Sequence, residues 1–243
     1  EHEQGERIPL TVADFDRPRG TVTVVVQTLG KTTSEMRDDY AEGDAFDDFV
    51  GPLGLPQHVS RAGHVVLVGG GLGVAPVYPQ LRAFKEAGNR TTGIIGFRNK
   101  DLVFWEEQFG RWCDNLIVCT DDGSYGKPGF VTQALKEVCE KDKPDLVIAI
   151  GPLPMMNACV EPTRPFGVKT MVSLNAIMVD GTGMCGSCRV TVGSEIKFAC
   201  VDGPDFDGHQ VDFKELLLRQ MRFKGEEAAA STDYAHVCNV EKL

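Results

Sequence analysis

From Gly63 to Leu174 the chain alternates two kinds of hydrophobic pattern. Short unbroken apolar runs ("HVVLVGG", "TTGIIGF", "NLIVCT", "DLVIAIG", "KTMVSL") are separated by longer stretches in which apolar residues recur at helical spacing. An unbroken run suits a strand buried on both faces, and the helical spacing suits a helix with one buried side. In "APVYPQLRAFKEAG" that side falls on Val77, Leu81 and Phe84, and Gly88 closes the helix. "DLVFWEEQFGRW" reads as a helix capped by Asp101, "KPGFVTQALKEVCEK" as one with Pro128 near its start, and "PMMNACVEPTRPFG" as a helix and turn. Five strands alternating with helices predict a doubly wound parallel sheet.

The flanks read differently. Upstream, "RIPLTVADFD" and "TVTVVVQTLG" are strand patterns joined by the turn "RPRG". "GKTTSEM" opens a short helix, and "FVGPLGLP" carries too much Gly and Pro for regular structure. Downstream, "RVTVGSEIKFA" is a hairpin turning at Val192–Gly193–Ser194, and "FKELLLRQMRF" is an amphipathic helix. "GEEAAASTDYAHVCNV" has no period and reads as a loose tail. The expected divisions are a β domain over 1–61, an α/β domain over 62–174, a cysteine region over 175–220 and a tail over 221–243.

With 42% apolar residues the chain can build an ordinary core. A formal charge of -10 disfavours nucleic acid and anionic lipid, which need a basic footprint. No apolar run nears the about 20 residues of a membrane span, and no secretory pattern opens the chain. Five of the eight cysteines are scattered singly and three cluster in one Gly-rich run. That usage predicts a reducing compartment, the cytoplasm, with one metal site. Cys119, Cys139 and Cys159 read as small buried residues. The histidines share no ligand spacing, and no Ser–His–Asp or Cys–His arrangement is legible, which speaks against hydrolysis.

Four motifs carry candidate chemistry. "VGGGLGVAP" (Val68–Pro76) lies between a strand and a helix, where glycines allow close approach to a ligand and the helix start offers N–H groups to phosphate. The next strand ends in "GFRNKD", so Arg98 and Lys100 could take a 2′-phosphate while Asp101 could hold a ribose hydroxyl; NAD and NADP both stay open. "IGPLPMMNA" puts Gly151 and Pro152 at the end of the fourth strand, on the ligand side of such a sheet. In the β zone, Arg7 in "RIPLT" and Gly30–Thr33 in "GKTT" could meet a pyrophosphate.

The strongest signal is "VDGTGMCGSCRVTVGSEIKFAC", which reads D-x4-C-x2-C-x11-C over Asp180, Cys185, Cys188 and Cys200. Plant-type 2Fe–2S loops run C-x4-C-x2-C with a further cysteine, and a carboxylate carries the same single charge as a thiolate. Asp180 is then the fourth ligand. A Cys3Asp zinc site, a Cys185–Cys188 disulfide, and Cys238 or a partner residue as fourth ligand are the rivals.

Taken in order, these motifs resemble the ferredoxin–NADP reductase superfamily, and within it the iron–sulfur flavoprotein branch. That branch includes the dihydroorotate dehydrogenase electron-transfer subunit and the small subunit of bifurcating NADH-dependent ferredoxin:NADP+ oxidoreductases. "GERIPLTVADFD", "FVGPLGLP", "VGGGLGVAPVYPQLRAFKEAGN" and "MVDGTGMCGSCRVTVG" are most similar to the second, as is aspartate at 180; the first would have cysteine there. The resemblance implies a flavin-binding β-barrel, a nucleotide domain and a C-terminal 2Fe–2S loop domain. It implies FAD held by Arg7, Pro9, Leu10 and Thr11, with Thr11 near the reactive ring edge, and its pyrophosphate held by Gly30, Lys31, Thr32 and Thr33. It implies NAD(H) at Gly70, Gly71, Gly73, Gly151 and Pro152, with NADP(H) as the variant. The expected partner is a larger flavin and 4Fe–4S subunit in a heterodimer, with ferredoxin served indirectly. Relatives have some tens of residues ahead of the "RIPLT" strand and only six precede Arg7 here, so the barrel is expected to be incomplete or reduced. A subunit that has lost FAD and serves as a scaffold is the expectation from another class.

Overall fold

The computed structural model describes residues 7–241, with side chains as far as Thr232. It opens on a hairpin: β1 (Val12–Asp16) pairs antiparallel with β2 (Thr21–Val24). Both strands are shorter than the β-branched pattern predicts. The register slips between Val12 and Asp14, and Arg7–Thr11 and Val25–Leu29 lie outside any strand. β-Branched residues favour extended backbone, but a ladder continues only where a partner strand does. Gly30 then leads into α1 (Lys31–Asp39), as expected, and "FVGPLGLP" is irregular.

The α/β zone follows as β3 (His64–Gly70), α2 (Val74–Glu86), β4 (Arg90–Phe97), α3 (Glu106–Gly110), β5 (Asn115–Thr120), β6 (Lys127–Pro128), α4 (Val131–Lys141), β7 (Leu146–Ile150), α5 (Leu153–Val160) and β8 (Lys169–Ser173). The cysteine region adds the hairpin β9 (Arg189–Val192) and β10 (Glu195–Phe198), then β11 (Asp205–Asp207), α6 (Phe213–Gln220) and α7 (Lys224–Glu241). The main sheet runs β11-β8-β7-β3-β4-β5-β6. All its pairs are parallel except β11 on β8.

Alternation along β3 builds two cores, because successive side chains point to opposite faces. Val65 and Leu67 meet Val77, Leu81, Phe84 and Phe109 on one face. Val66 and Val68 meet Ala134, Leu135, Leu153 and Met156 on the other, and this core continues unbroken into Cys188, Val190, Cys200, Phe213 and Leu216. The cysteine hairpin is thus rooted in the main core, at about 1.5–3 kcal/mol for each large apolar side chain removed from water. The β1–β2 hairpin is pinned to α2: Arg82 pairs with Asp14 and lies over Phe15 at 5.4 Å, Tyr78 at 5.9 Å and Trp112 at 5.7 Å.

Four expectations change. Asp101 does not cap a helix; it sits in a 3-10 turn, and α3 starts only after Trp105, which has φ +61. Aromatic burial decides this start, with Phe104 5.5 Å from Phe97 and Trp105 5.3 Å from Tyr78 between ring centres. Pro128 lies in β6, so α4 begins later than "KPG" suggested. The edge strand β11 has no counterpart in the sequence reading, because three residues are too few to show a period. The tail is helical as α7, consistent with Glu226 and Glu227 at its positive end and the alanines after them.

Candidate functional site

Strand order reverses at β3, which has β4 on one side and β7 on the other. The carboxyl ends of β3 and β7 therefore open the crevice in which such sheets take ligands. Gly69–Gly73 and Gly151–Pro152 both lie there. The glycines divide by role. A Cβ on Gly73 would strike the Ile150 carbonyl, one on Gly69 would come within 2.8 Å of Val74 Cα, and one on Gly70 would strike the Met155 sulfur. Gly69 and Gly73 face backbone and are needed for packing, whereas the methionine beside Gly70 is a flexible side chain. Gly71, at φ +55 with nothing within 4 Å of a Cβ, is the one that leaves open space. Met155 bridges the two turns, since a Cβ on Gly151 would also come within 2.8 Å of its sulfur. Met155 lies within "IGPLPMMNA", where the sequence reading assigned it no role. Arg98 is exposed just past the end of β4, and its carbonyl accepts Asp122 N at 3.2 Å.

On the β side, Arg7, Pro9 and Thr11 are exposed and Leu10 half-buried. Arg7 pairs with Asp48 at 2.6 Å. Thr33 Oγ1 accepts from Leu29 N and Gly30 N, each at 3.0 Å, and donates to the Gly30 carbonyl. Its hydroxyl is committed to the cap, so what α1 offers an anion is its first-turn N–H groups. Lys31 leans on Glu35 at 3.7 Å, and a Cβ on Gly30 would meet nothing within 4 Å. An open helix start on an extended glycine fits a phosphate group.

The cysteine loop gathers its residues as two pairs. Cys188 and Cys200 are buried with sulfurs 3.2 Å apart. Asp180 Oδ2 accepts Cys185 N at 2.8 Å, and its Oδ1 accepts Thr182 N at 2.9 Å. The Thr182 bond, then the Cys185 one, holds the Asp180 carboxyl below the usual range despite the opposing effect of desolvation. Burial, then the Cys188 contact, pushes the Cys200 thiol up, a shift that a bound cation would reverse. Cys185 is exposed and Cys188 buried, and neither is bridged, so the loop holds no Cys185–Cys188 disulfide. Among the described residues no three His, Cys, Asp or Glu side chains are set to hold a single metal ion. Two pairs of monoanionic donors fit a two-iron centre better than a zinc tetrahedron. The Cys238 side chain lies outside the described residues. The φ values of Gly181, Gly183 and Gly186, +74, +85 and +67, let the loop turn back on itself.

Two supports of this loop were missed in the sequence because both come from distant segments. Leu55 N donates to the Gly203 carbonyl at 2.7 Å, and Leu53 packs where a Cβ on Gly181 would come within 3.2 Å. Residues of "FVGPLGLP" thus strap the loop to the β side. From α6, Arg219 Nη2 donates to the Ser187 carbonyl at 3.0 Å.

Among the described residues no helix is long and apolar enough to cross a membrane. Two family models match: the oxidoreductase NAD-binding domain over residues 67–161 and the iron–sulfur cluster binding domain of dihydroorotate dehydrogenase B over residues 175–212. The chain is 51% identical over 226 residues to a dihydroorotate dehydrogenase B electron transfer subunit homolog of Thermotoga maritima, covering 93% of this chain and 79% of that protein. It is 35% identical over 213 residues to the dihydroorotate dehydrogenase B electron transfer subunit of Bacillus caldolyticus, covering 84% of this chain and 79% of the other. Among solved structures, one of an NADH-dependent reduced ferredoxin-NADP oxidoreductase studied for flavin-based electron bifurcation matches at 48% identity and TM-score 0.90, over 96% of this chain and 84% of that one. With an NAD-binding crevice and an iron–sulfur loop in one chain, the protein belongs to the family of dihydroorotate dehydrogenase B electron transfer subunits and their homologues, within the ferredoxin–NADP reductase superfamily, and is an electron-transfer subunit of an NAD(P)H-dependent oxidoreductase.

Proposed function

We propose that this chain passes electrons from NADH to a larger flavin and 4Fe–4S partner within an NADH-dependent ferredoxin:NADP+ oxidoreductase. The observation that carries this is Asp180: it stands at the first ligand position of the loop, and both its oxygens are turned into the loop by Thr182 and Cys185. FAD held here would supply the conversion of a two-electron hydride transfer into single electrons, and a 2Fe–2S cluster would supply their relay.

The chain's own part is positional. The turn at Gly69–Gly73, with Gly71 open, and Gly151–Pro152 would seat the dinucleotide between β3 and β7. Arg7, Pro9, Leu10, Thr11 and the first turn of α1, Gly30–Thr33, would hold the flavin nucleotide. Asp180 and Cys185 would take one iron, and Cys188 and Cys200 the other. The β zone, the nucleotide zone and the cluster loop would then act as three functional units, bounded near residues 61, 174 and 220.

The test is purification of the holoprotein followed by anaerobic titration with NADH. The expected result is flavin and 2Fe–2S absorption, two irons per chain, and bleaching of both chromophores. A colourless zinc protein would sink the proposal. An intact cluster without flavin would favour the scaffold reading. Mass spectrometry of co-purified chains identifies the partner. A dihydroorotate-oxidising companion would transfer the chain to the dihydroorotate reading, which the names of its relatives favour.

A further inference from the structure

The cluster loop leans on α6 through one charged residue. Arg219 is half-buried, and its Nη2 bonds the carbonyl of Ser187, the residue directly before Cys188. It lines a small cleft with Ala176, Ile177, Ser187, Gln220 and Arg222. Arg189, directly after Cys188, and Arg222 act against the charge on Arg219, while Glu215 and Cys188 act in its favour. Glu215 is itself shared, accepting from Thr191 Oγ1 at 2.5 Å. Arg219 and Arg222 thus line one cleft with Ser187, and Arg189 follows Cys188 in sequence, in a chain of net charge -10.

Crowding like charges costs free energy. Desolvation first, then Arg189 and Arg222, pulls the Arg219 pKa below the ordinary guanidinium value, although the group stays charged at neutral pH. Tethering Ser187 needs only a hydrogen-bond donor, which a neutral side chain supplies. The charge has another use. A 2Fe–2S cluster becomes more negative by one unit on reduction, and its potential follows local charge and the hydrogen bonds of its surroundings. A fixed cation beside Cys188 favours the reduced form.

We propose that Arg219 is a positioning residue that raises the reduction potential of the cluster, through a positive charge locked beside Cys188 by the Ser187 carbonyl. This rests on the cluster reading above. Arg219 itself ligates nothing, and its effect works through Cys188.

The test is an EPR-monitored redox titration of the holoprotein carrying Arg219→Gln or Arg219→Lys. Arg219→Gln keeps a donor for Ser187 and removes the charge. Its midpoint is expected to fall, so that at the wild-type midpoint the reduced-to-oxidised ratio drops several-fold. Arg219→Lys keeps the charge and is expected to stay near the wild-type midpoint. An unchanged midpoint in Arg219→Gln, or the same fall in both variants, overturns the proposal. Should Arg219→Gln fail to retain iron, Arg219→Lys decides: a wild-type midpoint supports the role of charge, and a lowered one overturns it. A wild-type protein with no 2Fe–2S signal and no iron would instead overturn the cluster reading, so the two failures are distinguishable.

Discussion

Asp180 shows how much a single residue can carry. Its spacing from Cys185 makes it the proposed fourth ligand, and the structure adds what holds its carboxylate, the Thr182 and Cys185 N–H groups. A thiolate at 180 would keep the charge toward iron but accept these N–H bonds more weakly. Asp180→Cys is therefore expected to retain two irons per chain while its EPR signal and midpoint change. Iron analysis and EPR of the reduced variant check this, and an unchanged signal would place the fourth ligand elsewhere. Other residues were legible in type but not in role. Gly73 looks like a ligand-approach glycine, and the Ile150 carbonyl beside it adds a second, packing reason for its missing Cβ. Thr33 looks like a phosphate donor, yet its hydroxyl closes its own helix cap. Only coordinates reveal which neighbour occupies the space a missing Cβ leaves.

At the scale of elements, the five buried strands and α2 follow from local pattern, because burial on both faces and helical spacing are visible in a short window. What was not legible depends on contacts remote in sequence. Trp105 starts α3 from a left-handed conformation because Tyr78 and Phe104 receive its ring. The strap from Leu53 to Leu55 is the clearest case, since "FVGPLGLP" predicts only irregular backbone. Gly54 has φ +78, and a Cβ there would come within 2.7 Å of the Gly203 carbonyl that Leu55 N bonds. Gly54→Ala therefore meets both backbone strain and a backbone clash. The expected cost is on the order of 1–3 kcal/mol, concentrated on the contact between the β side and the loop that follows Cys200. Thermal denaturation should show a lower midpoint, and the cluster absorbance should bleach faster in air than in wild type. A variant with wild-type melting and wild-type bleaching would mean the strap contributes nothing to holding the loop.

Over the whole molecule, the amino ends of β3, β4 and β7 form a polar floor beneath the sheet, away from the crevice. Asp145 Oδ2 accepts His64 N at 2.7 Å, Asn89 Oδ1 accepts Ala62 N and Gly63 N at 2.7 and 3.0 Å, and Arg90 pairs with Asp142 at 2.5 Å. His64 is buried in this floor at 5% exposure, its Nε2 2.9 Å from Thr92 Oγ1 and its Nδ1 3.6 Å from Asp142. Burial, then Arg90, lowers its pKa from 6.5, outweighing Asp142 and Asp145. Arg90 in turn keeps Asp142 ionised well into acid, so its carboxylate does not titrate in the same window. Well above pH 6.5 the imidazole is neutral in folded and unfolded chains alike and costs nothing. Below it the unfolded chain takes up the proton first, so stability falls with pH until the folded protein also binds it. The slope from this one group cannot exceed about 1.4 kcal/mol per pH unit. Urea midpoints at pH 7.5 and 5.5 measure it: wild type should lose stability across the interval. His64→Gln keeps a side chain able to bond Thr92 and carries no titrating group, so it should lose clearly less. Equal losses in the two proteins would mean that acid weakens the molecule elsewhere than at this floor.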